Sequence, residues 1–256
     1  MAERQGIWLY AVTRKANPAA LGDRSGVASE TPRTVEAGGL VAVVGDVPLP
    51  AFGEEALHRN FEDLDWLAAV ARAHDAVIGA VVAAGPAVPV RLATVYGDDD
   101  RVRTVLTDRA TEFAQVLDHV AGRAEWGVKV FVTPVAESRP TAGKSSEHGA
   151  GTAYLARRRA ALTQRERHDR GAAEQADRVH RTLATLAAGS RLHPPQSQVL
   201  AGNAGRMILN AAYLIDDDHA ASFAQAVAAC DGEHDTISVH LTGPWPPYSF
   251  SSLEQR

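Results

Sequence analysis

Short apolar runs alternate along this chain with longer segments in which apolar residues recur every three or four positions. The short runs predict strands and the longer periodic segments predict helices. The first run, residues 6–13, is apolar almost throughout, as is typical of a central strand. After a polar, Pro/Gly-rich loop over 14–37, Gly38-Gly39 opens a second strand, LVAVVGDV. Two strands in succession before any helix favour an antiparallel hairpin with a wide connection.

The next long segment, residues 54–84, predicts a helix with His74 in the middle of its apolar face. We interpret His74 as a core histidine that is hydrogen-bonded to a neighbour. The alternative is a functional imidazole paired with Arg91. Arg91 lies in the strand predicted over 88–94, inside the Pro-bracketed stretch GPAVPVRLATVY, where a guanidinium needs a partner or an exit to water.

Three aspartates, Asp98–Asp100, come directly before the second periodic segment, which ends at Gly122. Carboxylates could ligate a hard cation. At this position they favour a helix cap instead, because they satisfy free N–H groups and oppose the helix dipole. A strand over residues 126–133 follows. The first half is therefore strand–strand–helix–strand–helix–strand, in which two helices can cover one face of a four-stranded sheet.

The second half starts with a long helix, after a polar stretch rich in proline and glycine. The predicted elements are the helix 152–189, a short edge strand 196–200, a strand 207–215, a helix that starts at Asp216–Asp218, and a strand from Ile237. Strand, tyrosine, triple aspartate, helix and strand thus occur in both halves, which hints at related folds. We predict an α+β fold of two domains, each a small, mostly antiparallel sheet covered by helices, with ferredoxin-like character. The predicted bounds are 1–134 for the N-terminal domain, 135–151 for a linker and 152–256 for the C-terminal domain.

The first half of the long helix is one candidate partner-binding surface. It carries six arginines within a few turns, among them Arg157, Arg158 and Arg159. Such a helix cannot bury a wide face, so it is either solvated or meets an acidic partner. RNA is a weaker alternative, because no aromatic platform accompanies the arginines.

The tail, LTGPWPPYSF, is the second candidate surface. Its three prolines cannot continue a sheet. Trp245, Tyr248 and Phe250 either pack back on their own domain or form a rigid aromatic surface for a partner.

Composition and charge limit the classes of function that the chain can have. The net charge of −5 gives no global basic field for nucleic acid, and no apolar run approaches the roughly 20 residues that cross a bilayer. A single cysteine excludes an intrachain disulfide framework and fits a reducing compartment. Gly143-Lys144-Ser145 resembles a phosphate-binding loop but has Ser138 in place of its first glycine. With no other catalytic or metal motif in the sequence, we predict no catalytic residue, cofactor or metal.

Several longer stretches resemble the GvpF/GvpL family, accessory proteins of gas vesicle formation. They are GIWLYAV near the start, GGLVAVVGDVPLPAFGEEAL at 38–57, HDAVIGAVVAAGPAVPVRLATVY at 74–96, EWGVKVFVT at 125–133, GTAYLARRR at 151–159, GRMILNAAYLID and the terminal LTGPWPPYSF. These stretches follow one another in the family's order over nearly the whole chain. The Pro-x-Arg-Leu-Ala-Thr strand and the Pro/aromatic ending are the most telling.

The resemblance implies a two-domain assembly factor that binds the small hydrophobic shell protein of gas vesicles as an adaptor or chaperone. Other gas vesicle accessory proteins are implied as further partners, and the cytoplasm, in association with gas vesicles, as the location. No catalytic residues carry over. The alternative function is a ferredoxin-like small-molecule-binding protein or enzyme that uses a pocket between His74 and Arg91.

Overall fold

The computed structural model describes residues 4–15, 21–22, 24–133, 150–195, 205–232 and 236–251. The chain divides into two compact units. The first consists of Met1–Glu125 together with Pro244–Arg256, and the second of Trp126–Gly243. The first unit is therefore discontinuous in sequence.

The first unit is built around β1, which is buried along nearly its whole length. Its strands are β1 (Gln5–Thr13), β2 (Arg33–Ala37), β3 (Leu40–Pro48), β4 (Ala87–Pro89) and β5 (Val95–Tyr96). The order across the sheet is β2-β3-β1-β4, and β5 also pairs with β1. β1 runs antiparallel to β3, β4 and β5, with a bulge between Leu9 and Ala11 in its pairing with β3.

Strand β2 lies where the sequence predicted loop. It forms a tight hairpin with β3, in which Ala37 faces Leu40 across a two-residue turn. The turn residues, Gly38 and Gly39, have φ values of +59° and +74°. Two consecutive positive φ angles are the requirement of a type I′ turn, the connection that matches strand twist.

Helices cover both faces of this sheet. They are α1 (Leu49–Phe52), α2 (Glu54–Asn60), α3 (Leu64–Ala84), α4 (Asp99–Asp108) and α5 (Ala110–Val120). On one face Trp8, Tyr10 and Val43 pack with apolar residues of α1, α2 and α3. On the other, Ile7 and Leu9 pack with residues of α4 and α5. Two-sided burial explains why β1 and β3 are apolar at successive positions rather than at alternate ones.

Helix α3 is the longest helix of the first unit. Asp63 caps it by accepting hydrogen bonds from the N–H groups of Asp65 and Trp66 at 3.0 and 3.1 Å. Among the described residues, α3 is long and apolar enough to cross a membrane by length and composition alone, which corrects the expectation that no run approaches that length. In this fold that apolar composition serves the core, because Val70, Val77 and other residues of α3 are buried against the sheet.

The strand predicted over 88–94 is interrupted. Residues 91–93 loop out between β4 and β5, and Ala93 has a φ of +64°. β1 holds the chain on both sides of this loop. The Val90 N–H donates to the Tyr10 carbonyl at 2.9 Å, and the Leu9 N–H donates to the Thr94 carbonyl at 3.0 Å.

The second unit contains a four-stranded sheet in the order β7-β8-β6-β9. Its elements are β6 (Arg123–Val132), α6 (Ala150–Ala184), β7 (Gly189–Leu192), β8 (Arg206–Asp216), a 3₁₀ turn (Asp217–His219), α7 (Ala220–Gly232) and β9 (Ile237–Trp245). Buried residues of β6, β8 and β9 pack with the second half of α6 and with α7. Leu183, Tyr213 and Phe223 are among the most deeply buried.

The compact units differ in extent from the predicted domains. Strand β6, expected in the N-terminal domain, lies in the second unit's sheet beside β8 and β9. The tail, expected in the C-terminal domain, belongs to the first unit. The edge strand observed is Gly189–Leu192, whereas the one predicted over 196–200, like the body of the linker at 135–149, lies outside the described residues.

The two sheets share a strand order. Counted along the chain within each unit, both run second–third–first–fourth. The second unit has the element order β–α–β–β–α–β of a split βαβ fold. Along the chain, residues 14–32 lie between the first and second strands of the first unit, where the second unit has α6. The ferredoxin-like character of both units stays a prediction.

Candidate partner-binding surfaces

His74 is a core residue of the first unit and is only 2% exposed. The indole N–H of Trp8 donates to Nδ1 of His74 at 3.0 Å. Nε2 of His74 lies 3.0 Å from the carbonyl oxygen of Val90 and donates to it. Both ring nitrogens are thus used in the neutral Nε2–H form, and burial lowers the pKa of His74. The interpretation of His74 as a hydrogen-bonded core histidine is confirmed.

Arg91 does not pair with His74. It is exposed on the loop between β4 and β5, whereas His74 binds the carbonyl of the preceding residue, Val90. The candidate buried pair of His74 and Arg91 is therefore not formed, because the chain leaves the sheet at Arg91 and its side chain is exposed to water.

Asp98–Asp100 act at the start of α4. Asp98 accepts the N–H of Arg101 at 2.8 Å, which confirms the capping interpretation. Asp99 accepts two hydrogen bonds from Arg33, at 2.7 and 3.0 Å, and these lower the pKa of the Asp99 carboxyl. Among the residues that the structure describes, no three His, Cys, Asp or Glu side chains are grouped as metal ligands. The Gly143-Lys144-Ser145 segment lies outside them.

The tail is a built part of the first unit. The Tyr248 hydroxyl donates to Asp75 of α3 at 2.6 Å, and Ser249 donates from its N–H and its hydroxyl to Glu125, both at 2.7 Å. Phe250 is 6% exposed, with its ring centroid 6.4 Å from that of His119. Tyr248 packs on the core cluster of α3, and burial together with the bond to Asp75 raises its pKa. Tyr248 and Phe250 hold the tail in place and leave little surface for a partner.

Trp245 behaves differently from the other two aromatic residues of the tail. It ends β9 with 54% of its surface exposed, and Gly243 and Pro244 before it are exposed as well. An exposed indole next to prolines is a rigid apolar surface at low entropic cost, which is the kind of residue that anchors interfaces.

Residues 154–167 of α6 form the second surface, which we call the basic arm. Every described side chain in it is exposed, including Arg158 and Arg159, while the side chain of Arg157 lies outside the described part. Leu155 is 59% exposed, and Tyr154 and Leu162 are exposed to a similar degree. Between Ala172 and Leu183 the same helix buries one face in the core of the second unit. The expected Arg-rich helix is therefore real, and its first half has no partner among the described residues.

Two features of the first unit were missed at the sequence level. One is an apolar groove of about 380 Å³ between α1–α2 and β5, lined among others by Phe52, Leu57 and Val95. His74 and Arg91 are not part of it. The other is residues 54–65, in which Leu64 is 76% exposed and Phe61 is also exposed beside several carboxylates. We call these residues the acidic corner.

Comparison with known proteins assigns the chain to a family. The family model described as "Gas vesicle synthesis protein GvpL/GvpF" matches residues 6–252. This chain belongs to the GvpL/GvpF family. The membership confirms the resemblance seen in the sequence and supports an accessory role in gas vesicles.

Relatives and solved structures agree with this family. Gas vesicle protein L of Streptomyces sp. (strain CB03234) is 40% identical over 253 residues, covering 97% of this chain and 93% of that protein. Gas vesicle protein F of the same strain is 26% identical over 254 residues, covering 95% and 98%. The crystal structure of GvpF from Anabaena sp. PCC7120 matches with a TM-score of 0.64 at 19% identity, covering 98% of each chain. GvpF from Microcystis aeruginosa gives 0.64 at 21% identity, covering 97% of this chain and 99% of that one. These structures support the fold.

Proposed function

We propose that this GvpL/GvpF protein is an adaptor or chaperone that binds the small hydrophobic shell protein while gas vesicles form. Family membership supports the gas vesicle role. The physical reason for an adaptor is that a subunit which polymerises through apolar surfaces needs them covered before assembly. The protein would do this without catalysis, in the cytoplasm, and together with other gas vesicle accessory proteins.

Trp245 is the contact that carries this proposal. It is the aromatic residue of the tail that offers its ring to solvent, whereas Tyr248 and Phe250 are committed to the fold. A shell subunit with apolar surfaces can pack against this indole, with little side-chain entropy to lose. Arg158 and Arg159 are a second candidate contact, because they suit acidic groups near such an apolar surface.

The alternative small-molecule or enzymatic function lacks its proposed site. It requires a polar pocket between His74 and Arg91, but the His74 ring nitrogens are taken by Trp8 and Val90 and Arg91 is exposed. No other observation on the described residues favours this alternative function.

The test is co-purification of the shell protein with tagged variants of the full chain. Trp245→Ala should reduce the recovered shell protein at least about fivefold, equivalent to about 1 kcal/mol of binding. Leu192→Ala is the matched control, since Leu192 is an exposed apolar residue of β7 and not part of the tail. Undiminished recovery with Trp245→Ala, at an unchanged melting temperature, would overturn Trp245 as the contact. No recovery with the unaltered protein would overturn the adaptor role itself.

A further inference from the structure

The acidic corner and the basic arm are two exposed surfaces of opposite charge on one chain. The acidic corner contains α2 and the first two residues of α3 and belongs to the first unit. The basic arm is part of α6 and belongs to the second unit.

The acidic corner carries five carboxylates and one arginine. The carboxylates are those of Glu54, Glu55, Glu62, Asp63 and Asp65, all on exposed residues. Within the described part of the chain none of them forms an ion pair, although Asp63 caps α3. Leu64 and Phe61 lie exposed among them, and Trp66 is half-buried behind Phe61, with ring centroids 6.1 Å apart. The corner is thus an apolar patch with an acidic rim, the composition of an interface rather than of ordinary surface.

The basic arm has the complementary composition. Residues 154–167 contain five arginines and one glutamate, and in the described structure Arg158, Arg159, Arg165 and Arg167 form no ion pair. Leu155 and Leu162 are seven residues apart, so they lie on one side of the helix about 10 Å apart along its axis. The arm therefore offers an apolar line flanked by positive charge.

The position of the arginines argues against a lipid surface as the partner. Arg158 and Arg165 follow Leu155 and Leu162 by three residues, so they lie on the same side of the helix as the leucines. A helix that lies in a membrane interface separates its apolar and charged faces instead. A protein surface with carboxylates around an apolar centre fits such a mixed face better.

We propose that the basic arm of one copy docks on the acidic corner of a second copy of this chain. Leu155 and Leu162 would contact Leu64 and Phe61, while Arg158 and Arg159 meet the surrounding carboxylates. Since the two surfaces differ, the contact is head-to-tail and leaves one free surface of each kind on a pair, so that further copies can add. The contact is weak and salt-sensitive, because its ion pairs are exposed. This self-association goes beyond the adaptor function and does not depend on it.

The test is sedimentation velocity of the purified full chain, without shell protein, from about 5 to about 200 µM. We expect the weight-average mass to rise with concentration in about 0.1 M salt and to stay monomeric in about 1 M salt, where the screening length falls from about 10 to about 3 Å. A mass that stays monomeric throughout at low salt would overturn the proposal.

Two charge-reversal variants locate the contact. Arg158→Glu with Arg159→Glu leaves the basic arm with three arginines and three glutamates, so its excess positive charge is lost. Glu62→Lys with Asp65→Lys leaves the acidic corner with three carboxylates and three cationic side chains, so its excess negative charge is lost. Asp63 is left unchanged because it caps α3. Each variant alone should be monomeric. An equimolar mixture should form pairs, since the unaltered arm of one variant then meets the unaltered corner of the other. Arg101→Glu with Arg191→Glu, at exposed residues outside both surfaces, is the control with the same change in net charge as the arm variant and should associate normally.

The outcomes separate this proposal from its competitors. If a variant pair associates as well as the unaltered protein, or if the mixture stays monomeric while both variants keep their melting temperatures, the head-to-tail contact is overturned. Cosedimentation with phosphatidylglycerol vesicles that only the arm variant loses, with no self-association of the unaltered chain, would assign the arm to a membrane instead. The shell-protein experiment can succeed or fail independently of all of these.

Discussion

At the scale of single residues, His74 shows how one buried polar side chain ties three segments together. Its imidazole accepts from Trp8 of β1 and donates to Val90 beside β4, while its own backbone belongs to α3. A buried donor or acceptor left without a partner costs about 1–3 kcal/mol, so the ring satisfies two groups that would otherwise be costly. This explains a histidine in the middle of an apolar helix face.

The burial of His74 predicts a pH dependence of stability. Its pKa is lowered in the folded state, so below the ordinary value of 6.5 the unfolded chain takes up a proton that the folded chain refuses. The free energy of unfolding should therefore fall as the pH decreases below about 6.5. His74→Gln keeps both hydrogen bonds, since the glutamine can accept from Trp8 and donate to Val90, but it removes this titration. Urea unfolding between pH 7.5 and 5 should therefore show a smaller change of the unfolding free energy with pH in the variant. Equal slopes for the two proteins would contradict the assignment.

Residue-level prediction from the sequence succeeded where the signal is local. The position of His74 on an apolar stripe indicated a core histidine, and Asp98 before a periodic segment indicated a cap. The indole partner of His74 could not be predicted, since Trp8 is 66 positions away in the chain. Arg91 was misplaced because the loop at residues 91–93 depends on a positive φ at Ala93, for which alanine gives no signal.

At the scale of elements, the β2–β3 hairpin rests on its two glycines. A Cβ at Gly38 would lie 3.3 Å from the Leu106 carbonyl oxygen and from Thr107 Cα, whereas a Cβ at Gly39 would meet nothing within 4 Å. Gly39→Ala should cost about 1–2 kcal/mol from its positive φ alone. Gly38→Ala should cost more, because α4 must also move. Urea unfolding of the two variants measures the difference, and equal losses would show that the contact with α4 adds nothing.

Strand β2 was not predicted, although the two glycines follow it directly. A Gly-Gly pair before an apolar strand is a recognised hairpin signal, but Val35 is the one fully buried residue of β2, so alternation over residues 33–37 was too weak to detect. The segment predicted as one helix from Asp98 to Gly122 is two helices, broken at Arg109 with φ −111° and ψ 19°. Neither glycine nor proline marks that break. The long helix was found over most of its length, because its periodicity extends over many turns.

At the scale of the whole molecule, the C-terminal tail packs on the first unit, so residues of the tail should stabilise that unit. Phe250→Ala removes a buried ring and should cost about 3–5 kcal/mol. Tyr248→Phe removes the hydroxyl bonded to Asp75 and should cost about 1–2 kcal/mol. Trp245→Ala is the control and should change stability little. Hydrogen exchange of α3 reports these losses, and unchanged protection in Phe250→Ala would show that the tail is not a structural part of this unit.

Domain organisation was the least predictable level. The polar stretch after β6 is a clear break in the hydrophobic pattern, yet β6 before it belongs to the second sheet. Which strands pair depends on packing between segments far apart in the chain, and a local sequence pattern does not contain this information. The repeated triple aspartate also misled. By strand order the helix after Asp216–Asp218 corresponds to α3, whereas Asp98–Asp100 precede α4.

The discontinuous first unit has a consequence for how the protein is made. About 120 residues of the second unit leave the ribosome between Glu125 and the tail. At roughly 5–20 residues per second, the nascent first unit waits on the order of 10 s for Tyr248 and Phe250. During that time the surface they cover is open to chaperones and proteases. In a chain truncated at Gly243 the surface stays exposed permanently. Cellular quality control can then recognise the truncation at its C-terminus by the incomplete first unit.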